Sequence, residues 1–333
     1  MPAPRIAVLA GGVGGARFVR GVRHHARAAW PDGAGGSTAS ITVIANTGDD
    51  LWLAGLRVTP DLDSLLYALA GVNDTVRGWG RAGESERVSG ELTAYGVGWP
   101  WFTLGDLDLG THIARTALLH EGRPLSEVVA RLSARWPLGI RLLPATDAEV
   151  ETHVLVHEDG VARELHFEEW WVRTRASLPA EAFLQPGAER ARPAPGVEAA
   201  IAEADVVLIA PSNPVVSIGT ILGIPGMREA LAATAAPVVG VSPIIGGSAV
   251  RGMADACLHA IGVETSAAAV ARHYGARSVG GLLDGWLVDR RDAADVEALG
   301  AAGIPARAVP LWMHDDERSA AIAAEALDLA AAR

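Results

Sequence analysis

Short apolar runs alternate with amphipathic segments along most of the chain. Apolar runs lie at residues 6–10 and 41–45, and two more end at Ala210 and Val241. Each run is short for a helix and is followed by a loop, which predicts buried strands. Between the runs, apolar residues recur at spacings of three and four, which predicts helices. Strands that alternate with helices form a largely parallel, doubly wound sheet, so the predicted fold class is α/β.

One long segment departs from this alternation. Its strongest patterns, LDSLLYAL, THIARTALLHEG and LSEVVARLSARW, all have helical spacing, and Ser126 is the expected N-cap of the last one. The segment is too long to be a single crossover between two strands. We therefore predict an inserted helical lobe at residues 62–136, with residues 1–61 and 137–333 forming the sheet domain.

The stretch that follows alternates between polar and apolar residues. Residues 151–171 keep this period around Asp159 and Gly160, a pair that favours a tight turn, so we predict a β-hairpin there. The two tryptophans at its end are expected to pack against the core. The tail predicts further strands in GLLDGWLVD and ARAVPLW, and a last helix from about Glu317.

Composition excludes several classes of function. The net charge of −11 argues against nucleic acid or an anionic membrane as a partner. The apolar stretches at 206–227 and 230–250 are interrupted by prolines and glycines, so no membrane span is predicted. The absence of lysine excludes lysine Schiff-base chemistry and a P-loop with its phosphate-binding lysine. The single cysteine, Cys257, cannot form an internal disulfide, and we expect a cytoplasmic protein.

Four loops that follow predicted strands are rich in glycine, proline, serine or asparagine. They are GGVGGAR, NTGDD, PSNP and SPIIGG. Ligands of an open parallel sheet bind beyond the carboxyl ends of its strands, so these loops are expected to surround the site. The glycine loop could bind a phosphate on the free N–H groups of the next helix, although a plain tight turn explains the same glycines. It lacks the G-x-G-x-x-G spacing, which disfavours a nicotinamide oxidoreductase.

Four aspartates lie in the second of these loops and at the start of the helix after it. Asp61 and Asp63 have simple explanations, as an N-cap and as a first-turn carboxylate that suits the helix dipole. Asp49 and Asp50 are adjacent at the end of a buried strand, where two carboxylates repel each other. A divalent cation together with phosphate oxygens would neutralise them. The sequence therefore predicts a magnesium–diphosphate site here.

Few other polar or aromatic residues suggest a site. His112, six residues after Asp106, is a candidate, although a polar residue on a helix edge is the favoured interpretation. Trp79, Trp99 and Trp101 fit either a core position or a platform for a flat ring.

Taken together, these stretches resemble a known family. The blocks that carry the resemblance are AGGVGGAR, NTGDDLWLAGLRVTPDLDSLLYAL, RGWG, LGDLDLGTHIAR, HFEEWWVR, APSNPVVSIGTILGIPGMREAL, SPIIGG and GLLDGWLVD. In order and length they are similar to the 2-phospho-L-lactate transferase (CofD-like) family of coenzyme F-420 biosynthesis, from residue 5 to about residue 315. The EWWVR block and the chain length are most similar to the bacterial branch, which uses a phosphoenolpyruvyl donor.

The resemblance implies a specific reaction and fold. Such enzymes take a guanosine diphosphate diester of enolpyruvate or lactate, and the terminal ribityl hydroxyl of the deazaflavin FO attacks its distal phosphorus. GMP leaves and (dehydro)coenzyme F-420-0 is formed, with Mg²⁺ as the required cofactor. The implied fold is a Rossmann-like nucleotide-binding domain with a helical lobe, and a homodimer is expected.

Matching positions imply roles for particular residues. Asp49 and Asp63 would hold the magnesium ion or orient the FO hydroxyl, and Asp50 and Asp61 would support them. The residues implied to bind the substrates or to line their cleft are Gly12, Gly14, Gly15, Asp106, His112, Ser212, Asn213, Gly246 and Gly247.

The sequence departs from the family pattern at two positions. Leu107 stands where the family commonly has an arginine, a candidate contact to FO or phosphate, and Arg115 could take its place. Ser248 stands where the family often has lysine, and Arg251 could replace it. A non-enzymatic, nucleotide-sugar-binding regulator of similar fold is the alternative function. The donor acid is left open between phosphoenolpyruvate, 2-phospholactate and 3-phosphoglycerate.

Overall fold

A computed structural model describes residues 3–332, which form fourteen strands and twelve α-helices. The strands are β1 (Arg5–Ala10), β2 (Ser40–Ala45), β3 (Leu51–Leu53), β4 (Leu56–Val58), β5 (Arg141–Pro144), β6 (His153–Glu158), β7 (Val161–His166), β8 (Ala180–Leu184), β9 (Val206–Ile209), β10 (Val238–Val241), β11 (Ile244–Ile245), β12 (Ser248–Ala249), β13 (Gly285–Asp289) and β14 (Ala306–Val309). The helices are α1 (Gly12–Ala29), α2 (Pro60–Ala70), α3 (Arg87–Ala94), α4 (Asp106–His120), α5 (Leu125–Ser133), α6 (Val197–Ala202), α7 (Ile218–Gly223), α8 (Met227–Ala233), α9 (Ala254–Ala260), α10 (Ala267–Tyr274), α11 (Asp295–Ala301) and α12 (Asp316–Ala331).

The central sheet has seven strands, in the order β14-β13-β10-β9-β1-β2-β5. Every neighbouring pair in it is parallel. From β1 the chain first moves outward through β2 and β5, and it then returns to β9 on the other side of β1. This reversal makes a doubly wound, Rossmann-like sheet with a switch point between β1 and β9, so the predicted fold class is confirmed.

Helices cover both faces of this sheet, and each face has its own apolar cluster. On one face α1, α2 and α12 pack on the strands, with Phe18 and Leu65 fully buried. On the other face α6, α7, α8 and α10 do so, with Ile201 and Ile221 fully buried. Because both faces of a parallel sheet are covered, its strands read in the sequence as continuous apolar runs rather than as alternating ones.

Some helices of the segment predicted as a lobe pack on the sheet, and others pack outside them. α2 and α5 contribute to the apolar cluster under α1, through Leu62, Leu66 and Val129. α4 packs on α5 and on β4, farther from the sheet. α3 buries none of its residues. The three helical patterns predicted here are confirmed as α2, α4 and α5, whereas α3 has no counterpart among them. The division into a sheet domain and a lobe at 62–136 remains a prediction.

A smaller antiparallel sheet, in the order β7-β6-β8, follows β5. The predicted hairpin is confirmed as β6 and β7, and Asp159 and Gly160 have φ of 54° and 79° at its turn. The third strand, β8, was missed because Ala180–Leu184 is short and only partly buried. A π-helical turn, Glu169–Arg173, continues from β7 and buries Trp170 completely, as expected from the sequence.

Two predicted helix caps are wrong. α2 begins at Pro60 with Thr59 at the N-cap, because proline suits the first helical position; Asp61 therefore lies in the first turn. α5 begins at Leu125, and its second residue, Ser126, is held by the Asp147 carboxylate at 2.6 and 2.9 Å instead of acting as the cap. Within residues 3–332, no helix combines the length and the apolar character needed to cross a membrane.

Candidate active site at the switch point of the sheet

The loop from β1 to α1 lies at the switch point and presents the start of a helix. α1 begins at Gly12 with Gly11 at its N-cap, and the Gly12 N–H donates to the Asp61 carboxylate. A Cβ at Gly14 would lie 2.9 Å from the Pro211 carbonyl oxygen, and a Cβ at Gly15 would lie 2.6 Å from Ser212 Oγ. Because the loop after β9 approaches so closely, only glycine fits at these two positions. The other N–H groups of this helix start are suited to bind an anion.

The loop after β9 is held to the glycine loop by its own side chains. Ser212 Oγ accepts a hydrogen bond from the Gly11 N–H at 2.9 Å and donates one to the Gly11 carbonyl at 2.7 Å. Asn213 Oδ1 accepts from the Val215 N–H at 2.9 Å, and its Nδ2 lies 3.4 Å from Cys257 Sγ. Both predicted binding residues thus lie at the site, and both also shape the loop.

The predicted glycines of the fourth loop form an exposed turn between β11 and β12. Gly246 and Gly247 have φ of 59° and 75°, a region that favours glycine. The Gly246 N–H donates to the Asp292 carboxylate at 3.0 Å. The turn is therefore fixed by its own backbone and by the carboxylate of a neighbouring loop.

Two arginines stand near the start of α1 without a carboxylate partner. Arg251 Nη2 lies 3.4 Å from the Arg77 carbonyl oxygen, and no carboxylate of residues 3–332 lies within 4.0 Å of Arg251 or of Arg17. Partial burial, and then the Arg17 charge, lower the pKa of Arg251. Two cations that repel each other are suited to bind a polyanion such as a diphosphate.

Three buried carboxylates lie together beside the glycine loop. Asp49, Asp61 and Glu168 are only 4, 5 and 2 % exposed. Asn46 Nδ2 donates to Asp61 at 2.9 Å, whereas Asp49 Oδ1 has no hydrogen-bond partner among the described residues. Among residues 3–332, no arginine or histidine nitrogen lies within 4.0 Å of these three carboxylates. They are thus buried acids without a cationic partner.

The electrostatics of this carboxylate cluster follow from its burial. Burial raises the pKa of Glu168 to about 8, and the nearby Asp61 charge adds to the rise. Burial also raises the pKa of Asp61 to about 6, where hydrogen bonds led by that from Asn46 limit it. For Asp49, burial and then the charges of its acidic neighbours raise the pKa well above its usual range. At neutral pH the cluster must therefore bind protons or a cation.

Asp50 faces away from this cluster, although it is adjacent to Asp49 in the sequence. Its Oδ2 lies 3.7 Å from Arg57 Nη2, and Arg57 also donates to Glu151 at 2.6 Å. Of the like charges that act on Asp49, that of Asp50 ranks behind those of Asp61 and Glu168. The carboxylates that repel Asp49 most thus come from elements distant in sequence, and not from the adjacent residue as the sequence suggested.

Asp63 belongs to a second buried network, formed by α2 and α4. Its carboxylate pairs with the Arg115 guanidinium and lies 3.6 Å from His112 Nδ1. His112 Nε2 in turn lies 3.3 Å from the Asp108 carboxylate, which accepts from the Tyr67 hydroxyl at 2.6 Å. Burial, opposed by the Arg115 charge, raises the pKa of Asp63.

This network could also attract a metal. Among residues 3–332, only Asp63, Asp108 and His112 form a set of three ligand atoms that lie within 4.8 Å of one another. Arg115 already provides a positive charge at that point, which disfavours a second cation. The carboxylate cluster of Asp49, Asp61 and Glu168 lacks such a charge and fits a divalent cation better.

Two interpretations of this region are wrong. His112 is not a polar residue on a helix edge, because it is 1 % exposed and bonded within the network. Arg115 does not take the place of the family arginine at Leu107, because it is 1 % exposed and points inward to Asp63, whereas Leu107 is 43 % exposed. Asp106 lies at the rim, where it bonds the Ser85 hydroxyl and joins the starts of α3 and α4.

Glu168 is the member of the site that sequence reasoning missed. It lies in the block HFEEWW, which was interpreted only as packing. Its position follows from the end of β7, where the π-helical turn brings its side chain into the site. An acidic residue between two apolar aromatic residues, Phe167 and Trp170, was the signal that could have indicated it.

Comparison with known proteins gives a consistent result. The profile of the family described as 2-phospho-L-lactate transferase CofD matches residues 6–324. Proteins named phosphoenolpyruvate transferase are similar over 98 % of this chain, with 59 % identity in Thermobifida fusca (98 % of that protein covered), 57 % in Streptomyces griseus (98 % covered) and 52 % in Mycobacterium avium (98 % covered). A solved Bacillus halodurans structure covers 98 % of this chain and 99 % of its own, with a TM-score of 0.60 and 18 % identity, and supports the fold alone.

Proposed function

Because the chain belongs to the 2-phospho-L-lactate transferase CofD family, as its motifs predicted, we propose that it is a phosphoenolpyruvate transferase of coenzyme F-420 biosynthesis. Its substrates would be the guanosine diphosphate diester of enolpyruvate and the deazaflavin FO, and its products GMP and dehydrocoenzyme F-420-0. The enolpyruvyl donor is preferred to the lactyl one because the relatives at 52–59 % identity carry that name.

The carboxylate cluster beside the start of α1 is the observation that carries this proposal. Asp49, Asp61 and Glu168 are buried without a cationic partner, and the Gly12 N–H at the start of α1 donates to Asp61, which places the cluster beside this helix start. A phosphate diester held at that helix start would bring negative oxygens toward the carboxylates. A divalent cation between the phosphate oxygens and the carboxylates would neutralise both, as in magnesium–phosphate sites.

Magnesium fits the residues present. Asp49 has an oxygen without a partner, and Asp61 and Glu168 supply further hard oxygen atoms of the kind that Mg²⁺ prefers. These three residues would hold the ion, and the bound ion would stabilise negative charge on the phosphate oxygens. Asp63, which the sequence also suggested as a ligand, is held by Arg115 and is better suited to the second predicted role, orientation of the FO hydroxyl.

The chain's own residues would then perform two tasks. The amides of the glycine loop, with Arg17 and Arg251, would bind the diphosphate. Asp63 would accept the proton of the ribityl hydroxyl, because burial makes its carboxylate a stronger base than a solvent-exposed one. As the new bond from the ribityl oxygen to phosphorus forms, the bond from phosphorus to the GMP oxygen breaks and its electron pair leaves with GMP.

Mass spectrometry of the reaction product tests this function. The purified protein is incubated with FO, Mg²⁺ and, separately, the guanosine diphosphate diesters of phosphoenolpyruvate, 2-phospholactate and 3-phosphoglycerate. We expect dehydrocoenzyme F-420-0 and GMP from the first donor at the highest rate. A protein that yields no phosphodiester of FO from any donor is not this transferase.

We expect guanine nucleotides to bind far more tightly than adenine nucleotides. A site that pairs with the hydrogen-bonding edge of one base leaves buried groups unpaired with another, which commonly costs a hundredfold or more in affinity. Thermal shifts with GDP, ADP, NAD and UDP-sugars measure the selectivity. A larger shift with UDP-sugars would favour the non-enzymatic regulator instead, and equal shifts with GDP and ADP would contradict the guanosine donor.

We expect the metal-free protein to lose stability as the pH rises from about 4.5 to about 8. The pKa of Glu168 is about 8 in the folded chain against 4.5 for a free glutamate, so in this window the folded state holds a proton that the unfolded state releases. The free energy of unfolding therefore falls as the pH rises. Melting temperatures in EDTA should fall less steeply in Glu168→Gln than in Glu297→Gln, an exposed control. Equal slopes in the two variants would contradict the raised pKa.

A homodimer is also part of the proposal. Val76, Trp79 and Tyr95, in the segment between α2 and α4, are 93, 57 and 79 % exposed and give apolar surface that a second copy could cover. The mass in solution, measured by light scattering after gel filtration, distinguishes the dimer from a monomer.

A further inference from the structure

A groove of about 600 Å³ runs between α4 and the C-terminal part of α5. Its apolar lining includes Leu107, Ala114, Leu118, Leu132 and Trp136. The volume is in the range of sites that enclose small organic molecules. The groove is therefore large enough for a ligand of its own.

Three arginines, Arg81, Arg131 and Arg135, border this groove. Within residues 3–332, no carboxylate oxygen lies within 4.0 Å of a guanidinium nitrogen of any of them, although the Arg81 backbone N–H donates to the Glu84 carboxylate at 2.9 Å. Asp106, the one acidic residue in the lining, already bonds the Ser85 hydroxyl and the Val88 N–H. The groove is thus a positive region on a chain whose net charge is −11.

Arg81 is the most informative of the three. It is only 8 % exposed, and its Nε has no hydrogen-bond partner among the described residues. Its Nη1 donates to the Leu107 carbonyl at 3.3 Å, and its guanidinium lies 5.6 Å from the centre of the Trp136 ring. A buried cation without a counter-charge is costly, and an anion in the groove would remove that cost.

The groove is separate from the carboxylate cluster and from the Asp63 network. α4 turns Asp108, His112 and Arg115 toward Asp63 and Tyr67. The groove is lined by a different stripe of the same helix, at positions 107, 110, 114 and 118, and by none of those three residues. A ligand in the groove would therefore lie beside the site and not in it.

We propose that this groove is a second binding site, and that it takes an organic phosphate monoester with an apolar or aromatic group. The phosphate would lie against Arg131 and Arg135, whose planar guanidinium groups bind phosphate oxygens in pairs. Its two negative charges at neutral pH match the two exposed arginines. The apolar group would pack in the groove beside Arg81, Leu132 and Trp136. This inference does not depend on the proposed transferase activity.

Gly110 offers a way to block the groove without disturbing the fold. It lies in α4 and lines the groove, and a Cβ at this position would meet no atom within 4 Å. Glycine costs about 1 kcal/mol relative to good helix formers inside a helix, so Gly110→Leu is expected to fold at least as stably as the native chain. The leucine side chain would occupy the space of the ligand.

Calorimetric titration with 1-naphthyl phosphate tests the proposal, in the full chain and with excess GDP to compete at the switch point. We expect a dissociation constant below about 1 mM, because the arginine pair adds charge-assisted hydrogen bonds to apolar burial. Gly110→Leu and the double variant Arg131→Ser/Arg135→Ser should each weaken binding at least tenfold. Gly300→Leu and Arg228→Ser, exposed control positions in α11 and α8, should leave it unchanged.

Four results would overturn the proposal. Binding that the groove variants do not weaken would place the probe elsewhere. Equal affinity for 1-naphthol would mean that the arginines do not recognise the phosphate, and equal affinity for inorganic phosphate would mean that the apolar lining does not take part. A dimer that Gly110→Leu dissociates would identify the groove as an interface between two copies of this chain.

Discussion

The Asp49→Asn variant is expected to lose at least about a hundredfold of turnover and most of its affinity for Mg²⁺. Asp49 is buried, has an oxygen without a partner, and lies near Asp61 and Glu168, so its charge would contribute to holding the proposed cation. Asparagine has nearly the same shape but no charge. Loss of a charged ligand typically removes several kcal/mol of transition-state stabilisation. Steady-state kinetics at saturating Mg²⁺ measure the first effect, and titration with Mn²⁺ followed by electron paramagnetic resonance measures the second.

Asp63→Asn is the matched comparison, because it should separate metal binding from orientation of the FO hydroxyl. We expect it to lose turnover by a similar factor while it still binds Mn²⁺, since Asp63 is paired with Arg115 and not with the carboxylate cluster. Asp255→Asn, on the exposed side of α9, should change neither quantity. If Asp49→Asn keeps its metal affinity and Asp63→Asn loses it, the metal lies in the network of α2 and α4, and the roles are reversed.

The position of the site could be predicted because it depends on local signals. A buried parallel strand appears as an apolar run, and the loop after it appears as a cluster of glycine, serine, asparagine or proline. The reversal of strand order between β1 and β9 then brings the first and third of these loops together, and the contact of Gly11 with Ser212 is its direct consequence. Sequence alone was sufficient here because few arrangements of alternating strands and helices are possible.

The partners of each carboxylate could not be predicted in the same way, because they come from distant parts of the chain. Asp49 and Asp50 are adjacent, yet one faces Asp61 and Glu168 and the other faces Arg57. The backbone conformation of a few residues decides the direction of each side chain, and no periodic pattern in the sequence indicates it. Glu168 enters the site only because β7 pairs with β6 and continues into a π-helical turn.

The inner face of α4 shows the same limit. Asp108, His112 and Arg115 recur at helical spacing, so the sequence could indicate that they share a face. It could not indicate whether this face meets solvent or α2. Polar residues usually face solvent, and that general tendency gave the wrong interpretation of His112. The polar face of α4 can be buried here because the charges of Asp63 and Arg115 compensate each other.

The Arg115→Met variant is expected to be less stable than the native chain by about 3–5 kcal/mol, because it leaves the buried carboxylate of Asp63 without its partner. Methionine keeps most of the side-chain volume, so the loss should arise from the charge and its hydrogen bonds to Asp63 and to the Arg57 carbonyl. The melting temperature should fall by at least about 6 °C, at the shift per kcal/mol that is usual for domains of 150–250 residues. Arg228→Met, at an exposed arginine, is the control and should melt within about 1 °C of the native chain.

The double variant Asp63→Asn/Arg115→Met decides whether the pair or the packing is responsible. If the uncompensated charge causes the loss, removal of both charges should restore part of the stability, so the double variant should melt above Arg115→Met alone. It should nevertheless remain inactive, because it lacks the carboxylate that we propose as the acceptor of the ribityl proton, whatever the stability of the fold. A double variant that melts no higher than Arg115→Met would show that Arg115 stabilises the fold through other contacts. The Asp63 carboxylate would then be held in place by Thr59 and His112.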